Sequence, residues 1–91
     1  MRKLDIKEIF KNKKVIVTGH TGFKGSWLSY WLLKNGAKVI GISNNIPTTP
    51  SHYKSLKLKG NIKEYFFNIE KIKRLEKLIK KIKPDFIFHL A

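Results

Sequence analysis

The sequence predicts an α/β chain, the truncated half of a doubly wound domain with a parallel sheet of strand order 3-2-1-4. Three observations carry this expectation. Apolar runs of strand length alternate with helix-period segments along residues 14–91. A turn with glycines at three-residue spacing, Gly19-x-x-Gly22-x-x-Gly25, joins the first such run to the first long helical segment. The last run, around Phe86, Ile87 and Phe88, is as apolar as a central strand, yet in this order it is an edge with no outer partner.

Taken in order, Leu4 to Phe10 carries apolar residues at 6, 9 and 10, the pattern of a short amphipathic helix. Residues 1–13 therefore read as an amino-terminal extension, and 14–91 as the partial α/β domain. Residues 14–18 form strand one, whose β-branched run suits burial on both faces. From Phe23 to Asn35, Trp27, Leu28, Trp31 and Leu32 recur as a helical stripe, and Gly36 is a natural left-handed stop. The two tryptophans read as packing residues, in the core or at a subunit interface, rather than as ligand stackers.

Strand two spans 38–42. An Asn-, Pro- and Thr-rich loop follows over 43–54, with a short helical turn that Ser51 could cap. Strand three is expected at 64–67. An amphipathic helix over 70–83 turns Ile72, Leu75, Leu78, Ile79 and Ile82 to one side and ends just before Pro84. Strand four covers 85–91.

Composition sets bounds. With 42% hydrophobic residues the chain can form a core, and 91 residues would bury roughly 60–65% of their unfolded surface, which implies modest stability. It has no cysteine, which excludes a disulfide scaffold and Cys-ligated zinc and fits a reducing compartment. No run approaches the roughly 20 apolar residues a membrane helix needs, and the first residues lack a signal-peptide core, so a cytoplasmic location without membrane contact is expected.

The formal charge is +14, but only Arg2 and Arg74 among the basic residues are arginine. Nucleic-acid sites generally use the bidentate fork of arginine with interleaved aromatics. The scattered lysines, together with abundant Ile and Asn, read as a compositional bias. No specific nucleic-acid partner is expected, although polyanions should bind non-specifically at low salt.

The glycine loop is the chemically informative stretch. Its three glycines have separate tasks: one makes the turn, one lets a diphosphate approach the backbone, and one lets the helix pack close to the strand. The helix start adds unpaired N–H groups and a positive dipole end, which suit an anion. This is a Rossmann-type arrangement, and the ligand it predicts is a dinucleotide. A phosphate-binding P-loop is excluded because its Gly-Lys-Ser order is transposed to Lys24-Gly25-Ser26. Lys24 sits in the first helical turn, where a cation is disfavoured by about 0.3–1 kcal/mol unless an anion joins it. His20 can point a ring N–H at the same phosphate. For both residues an ordinary surface role remains the alternative.

At these residues the chain resembles the extended short-chain dehydrogenases/reductases, through Thr18-Gly19-x-x-Gly22-x-x-Gly25. The fuller run from Val17 through His20, Thr21, Phe23, Lys24, Ser26 and Trp27 to Leu28 is similar to one group of them, the CDP-glucose 4,6-dehydratases. Pro47-Thr48-x-Pro50-Ser51 and the stretch from Lys83 to Ala91 are similar to that group as well. The resemblance covers nearly all of residues 13–91 and about the first quarter of a full-length member.

The resemblance implies bound NAD, with Gly19, His20, Thr21, Gly22, Phe23, Lys24 and Gly25 along its diphosphate. It implies Leu90 and Ala91 on the adenosine side. Asn45 stands where the group usually has the Asp that holds the adenine ribose, and Asn68, beside Ile69, where an Asp contacts adenine. An Asn can hydrogen-bond but lacks the charge that repels a 2′-phosphate, and no Arg follows strand two to hold one. NAD is therefore expected over NADP. Either Asn could equally serve a turn or cap.

The resemblance further implies that full-length relatives, expected as homo-oligomers, oxidise CDP-glucose at C4, eliminate water across C5–C6 and return the hydride to C6. The family's Tyr-x-x-x-Lys pair belongs on a later helix. Tyr30 with Lys34 and Tyr53 with Lys57 match its letters only by chance in a lysine-rich chain. No catalytic residue is assigned to these 91 residues, and the chain is expected to be inactive alone. The alternatives are an NAD-dependent epimerase or reductase of nucleotide sugars, and a non-catalytic nucleotide- or polyanion-binding module.

Overall fold

The computed structural model describes residues 6–44, 61–68 and 70–90. Its elements run α1 (Ile6–Phe10), β1 (Lys14–Thr18), α2 (Phe23–Lys34), β2 (Lys38–Ser43), β3 (Lys63–Phe66), α3 (Ile72–Ile82) and β4 (Phe86–His89). The four strands are parallel and ordered β3-β2-β1-β4, as the alternating pattern predicts. In register, Val15 pairs with Val39 on one side and Phe86 on the other.

β1 is central, and its two faces divide the core. Val15 and Val17 pack with Leu32 of α2, Ala37 and Val39, with Phe10 and Phe88 against them. Ile16 faces the other way and packs with Ile40, Ile42, Phe67 and Leu78 of α3. This is the period-2 alternation of a strand covered by a helix on each face. Val15, Ile16 and Val17 are all fully buried, each stabilising the fold by about 1.5–3 kcal/mol.

Turn chemistry follows the sequence closely. Gly36 adopts φ +84° after α2, and the Ala37 N–H returns to the Leu32 carbonyl, closing the helix in the left-handed manner a glycine permits. At the amino end of the sheet, the Lys14 N–H donates to Asp85 Oδ2 at 2.9 Å and the Asp85 N–H donates to the Lys14 carbonyl at 2.8 Å. This pair fixes the register of β4 on β1.

Three expectations shift. The face of α2 turned to the sheet is Gly25, Ser26, Ser29 and Leu32, whereas Trp27 and Trp31 are 45% and 40% exposed. Small residues face the sheet because they let the helix lie close to it. The serine hydroxyls are satisfied within the helix, Ser29 Oγ donating to the Gly25 carbonyl at 2.7 Å and Ser26 Oγ to that of Phe23 at 3.0 Å. The tryptophans are thus not core; Trp31 instead meets Phe10 edge-on at 5.7 Å.

α3 begins at Ile72 rather than at 70, because a turn precedes it: Asn68 Oδ1 accepts from the Glu70 N–H at 3.0 Å. Strand four is shorter than expected, although its flanks stay tied to β1 through Asp85 and Leu90. The turn expected near Ser51 lies outside the described residues.

Candidate functional site

β1 ends at Thr18, and the chain turns at Gly19 with φ +76°, a conformation that favours glycine. The Gly22 N–H returns to the Gly19 carbonyl at 3.1 Å, and α2 starts at Phe23 with no side chain capping its amino end. A Cβ on Gly25 would lie 2.0 Å from the Gly19 carbonyl oxygen, so only glycine lets this helix meet the strand. Gly22 differs. It is exposed, and the nearest atom to a Cβ there is the Gly19 oxygen at 3.5 Å. The three glycines thus differ in geometry: a positive-φ turn at 19, an open crest at 22 and close packing at 25.

The loop is held to the sheet at both flanks. Thr21 Oγ1 lies 2.8 Å from Ser43 Oγ at the end of β2. Thr18 Oγ1 lies 2.7 Å from His89 Nδ1 at the end of β4, and the Leu90 N–H donates to both the side-chain and carbonyl oxygens of Thr18 at 3.1 Å. All these anchors lie at the carboxyl ends of parallel strands. The loop leaves β1 where the strand order reverses between β1 and β4, the place at which open α/β sheets form a ligand crevice.

The expected site residues separate into groups. Gly22, Phe23 and Lys24 form an exposed crest, with Phe23 64% exposed. The His20 ring does not turn to that crest, as expected of a phosphate ligand. It is fully buried, and its Nε2–H donates to Glu64 Oε2 at 2.7 Å. The physical reason lies in β2: Gly41 leaves the space the ring fills, and a Cβ there would stand 2.4 Å from ring carbons.

The Asn68 side chain serves the turn before α3, and Leu90 stands exposed just past β4. Asn45, Ile69 and Ala91 lie outside the described residues, as does Tyr53. Tyr30 and Lys34 face one another on the outside of α2, the ammonium 5.4 Å from the ring centroid.

Ser43, Glu64 and His89 belong to the loop's surroundings without any signal in the sequence. Each is a tertiary partner of a loop residue, separated from it by 22, 44 and 71 residues respectively, and no local spacing announces such a pairing. A cavity of about 580 Å³ opens at the opposite end of the strands, beside Lys14, Lys38 and Lys63. It contains none of the loop residues and has no part in this site. Among the described residues there is no group of three or more potential metal ligands, and no helix long and apolar enough to cross a membrane.

A glycine turn between a central parallel strand and an uncapped helix, at the switch point of the sheet, defines a Rossmann-like α/β fold. Comparison with known proteins narrows the class. Residues 16–91 match the family model described as GDP-mannose 4,6 dehydratase, and the chain belongs to that family. It is 41% identical over 85 residues to a CDP-glucose 4,6-dehydratase of Salmonella typhimurium, covering 93% of this chain and 24% of that protein.

Among solved structures it is similar to the epimerase Mth375 of Methanothermobacter thermautotrophicus, with a TM-score of 0.74 and 33% identity over 93% of this chain and 24% of that one. It is also similar to the Bordetella bronchiseptica enzyme WbmH in complex with NAD+, with a TM-score of 0.72 and 32% identity over 88% of this chain and 26% of the other. The chain thus spans about a quarter of the length of these relatives.

Proposed function

We propose that the chain is the NAD-binding amino-terminal part of a nucleotide-sugar 4,6-dehydratase that acts on CDP-glucose. The dehydratase part is supported by the 41% identity to a CDP-glucose 4,6-dehydratase. The observation that carries the NAD-binding part is the crest at Gly22, open beyond its missing Cβ and placed at the uncapped start of α2. A diphosphate there would meet helix N–H groups and the positive end of the dipole, with Lys24 adding a full charge from the first turn. Such a cradle fits a dinucleotide.

NAD, when bound, supplies the hydride acceptor and donor for the sugar. The residues of this chain bind and orient it. Gly19, Gly22 and Gly25 shape the cradle, and Phe23 and Lys24 border it. Asn45, Asn68, Ile69, Leu90 and Ala91 are assigned to the adenosine side. The catalytic chemistry is assigned to none of the 91 residues, since the Tyr30–Lys34 match is a pairing on the outer face of α2.

The test is calorimetric titration of the full chain with NAD and, separately, NADP. Saturable one-to-one binding that favours NAD supports the reading, and no binding of either dinucleotide overturns it. The likeness to Mth375 favours a second reading, an epimerase. Incubating the full-length protein of which this chain is proposed to be the amino-terminal part with CDP-glucose and with UDP-glucose separates the two, by loss of water in one case and inversion at C4 in the other.

A further inference from the structure

We infer that Glu64 is a positioning residue for the dinucleotide loop, acting through His20. The two are 44 positions apart, yet the Nε2–H of His20 donates to Glu64 Oε2 at 2.7 Å, with the His20 side chain fully buried and that of Glu64 12% exposed. β2 and β3 prepare this contact. Gly41 and Glu64 are register partners on neighbouring parallel strands, so their side chains stand on the same face of the sheet. Because Gly41 has no side chain, the His20 ring occupies the space over it and reaches the carboxylate of Glu64 on β3. A Cβ at Gly41 would meet the ring at 2.4 Å, and the Phe66 ring, 5.6 Å away centroid to centroid, borders it on the β3 side.

The consequence falls on the loop. His20 is the residue between the positive-φ turn at Gly19 and Thr21, which is itself tied to Ser43 at 2.8 Å. With the ring clamped on Glu64 and the Thr21 hydroxyl on Ser43, the backbone leading to the Gly22 crest is fixed at two consecutive residues. A cradle that is already ordered does not have to be ordered when the ligand arrives, and affinity gains accordingly. Glu64 touches no dinucleotide in this scheme. It holds the residue that holds the loop.

The inference rests on the reading that the loop binds NAD, and the experiment keeps the two apart. NAD is titrated into the full chain and its Glu64→Ala and Glu64→Gln variants by calorimetry, with folding followed by circular dichroism. Glu64→Ala is expected to weaken NAD about tenfold, the loss of one hydrogen bond to a charged group. Glu64→Gln should stay within about threefold of the parent, because its amide oxygen accepts the same Nε2–H.

A folded Glu64→Ala variant that binds like the parent, or a Gln variant as weak as the Ala one, overturns the inference. If the Ala variant does not fold, the parent chain decides by nitrogen NMR. The His20 ring signals should be sharp before NAD is added and stay in place while the Gly22 and Lys24 amides move, and ring signals that are broad in the free chain or move together with those amides overturn it. A parent chain that takes no NAD overturns the proposed function itself.

Discussion

Gly22 and Gly25 are three residues apart in one loop, yet the structure gives their side-chain positions opposite meanings. At Gly25 an added methyl would lie 2.0 Å from the Gly19 carbonyl oxygen and 2.9 Å from the His20 Cα, all of it backbone that cannot step aside. Gly25→Ala should destabilise the fold by about 2–4 kcal/mol through overpacking, seen as a lower urea midpoint. At Gly22, with φ −75° and nothing nearer than 3.5 Å, the same methyl is accommodated by the fold and intrudes only on what approaches the crest. Gly22→Ala should keep the midpoint and lose NAD affinity; retained affinity would remove the crest from the site. Lys24→Glu should weaken NAD by about 1–3 kcal/mol, by loss of a charge-assisted contact and added repulsion, with unchanged calorimetric affinity counting against the role given to Lys24.

Elements were legible where one local signal determined them. The β-branched run of β1, the glycine stop after α2 and the apolar stripe of α3 from Leu75 to Ile82 each appear in the sequence as they appear in the fold. Ile72, expected on that stripe, is instead 63% exposed at the first turn of α3, ahead of the residues that meet the core. The orientation of α2 did not follow from its apolar residues, because its sheet side is built from Gly25, Ser26 and Ser29, where closeness outweighs apolar area. Likewise the direction of the His20 ring depends on a gap at Gly41 and a carboxylate on β3, which only the assembled sheet brings together. β4 carries the element-scale prediction. It pairs with β1 on one side, leaves Phe86 37% and Ile87 49% exposed, and is an edge among the described strands. An apolar edge of this kind templates further pairing. Ile87→Lys should lower self-association of the chain in light scattering at equal concentration while leaving the folded circular-dichroism signal in place; undiminished association would show that the contact forms elsewhere.

For the whole molecule, the decisive quantity is a net charge of +14 on 91 residues. α3 illustrates its distribution: Lys73, Arg74, Lys77, Lys80 and Lys81 are exposed on a helix whose buried residue is Leu78. Such a surface attracts any polyanion, so binding to nucleic acid at low salt does not by itself separate a nucleic-acid module from an NAD-binding one. The dependence on salt does. A polyanion that engages several lysines releases several counterions, and its apparent affinity falls by about 10³–10⁵ between 50 and 200 mM salt when 6–10 phosphates are neutralised. NAD carries a single diphosphate and, in the proposed site, would meet one lysine, Lys24, at a helix terminus that supplies fixed dipoles in addition. Its affinity should fall less than about tenfold over the same range, since screening of one charge pair is modest. We therefore expect fluorescence titrations with a random-sequence DNA duplex and with NAD, run in parallel at both salt concentrations, to diverge steeply. A duplex affinity that survives 200 mM salt while NAD binding is absent would favour the polyanion-binding module. Salt-sensitive duplex binding beside salt-tolerant NAD binding marks the basic surface as non-specific and the glycine crest as the site.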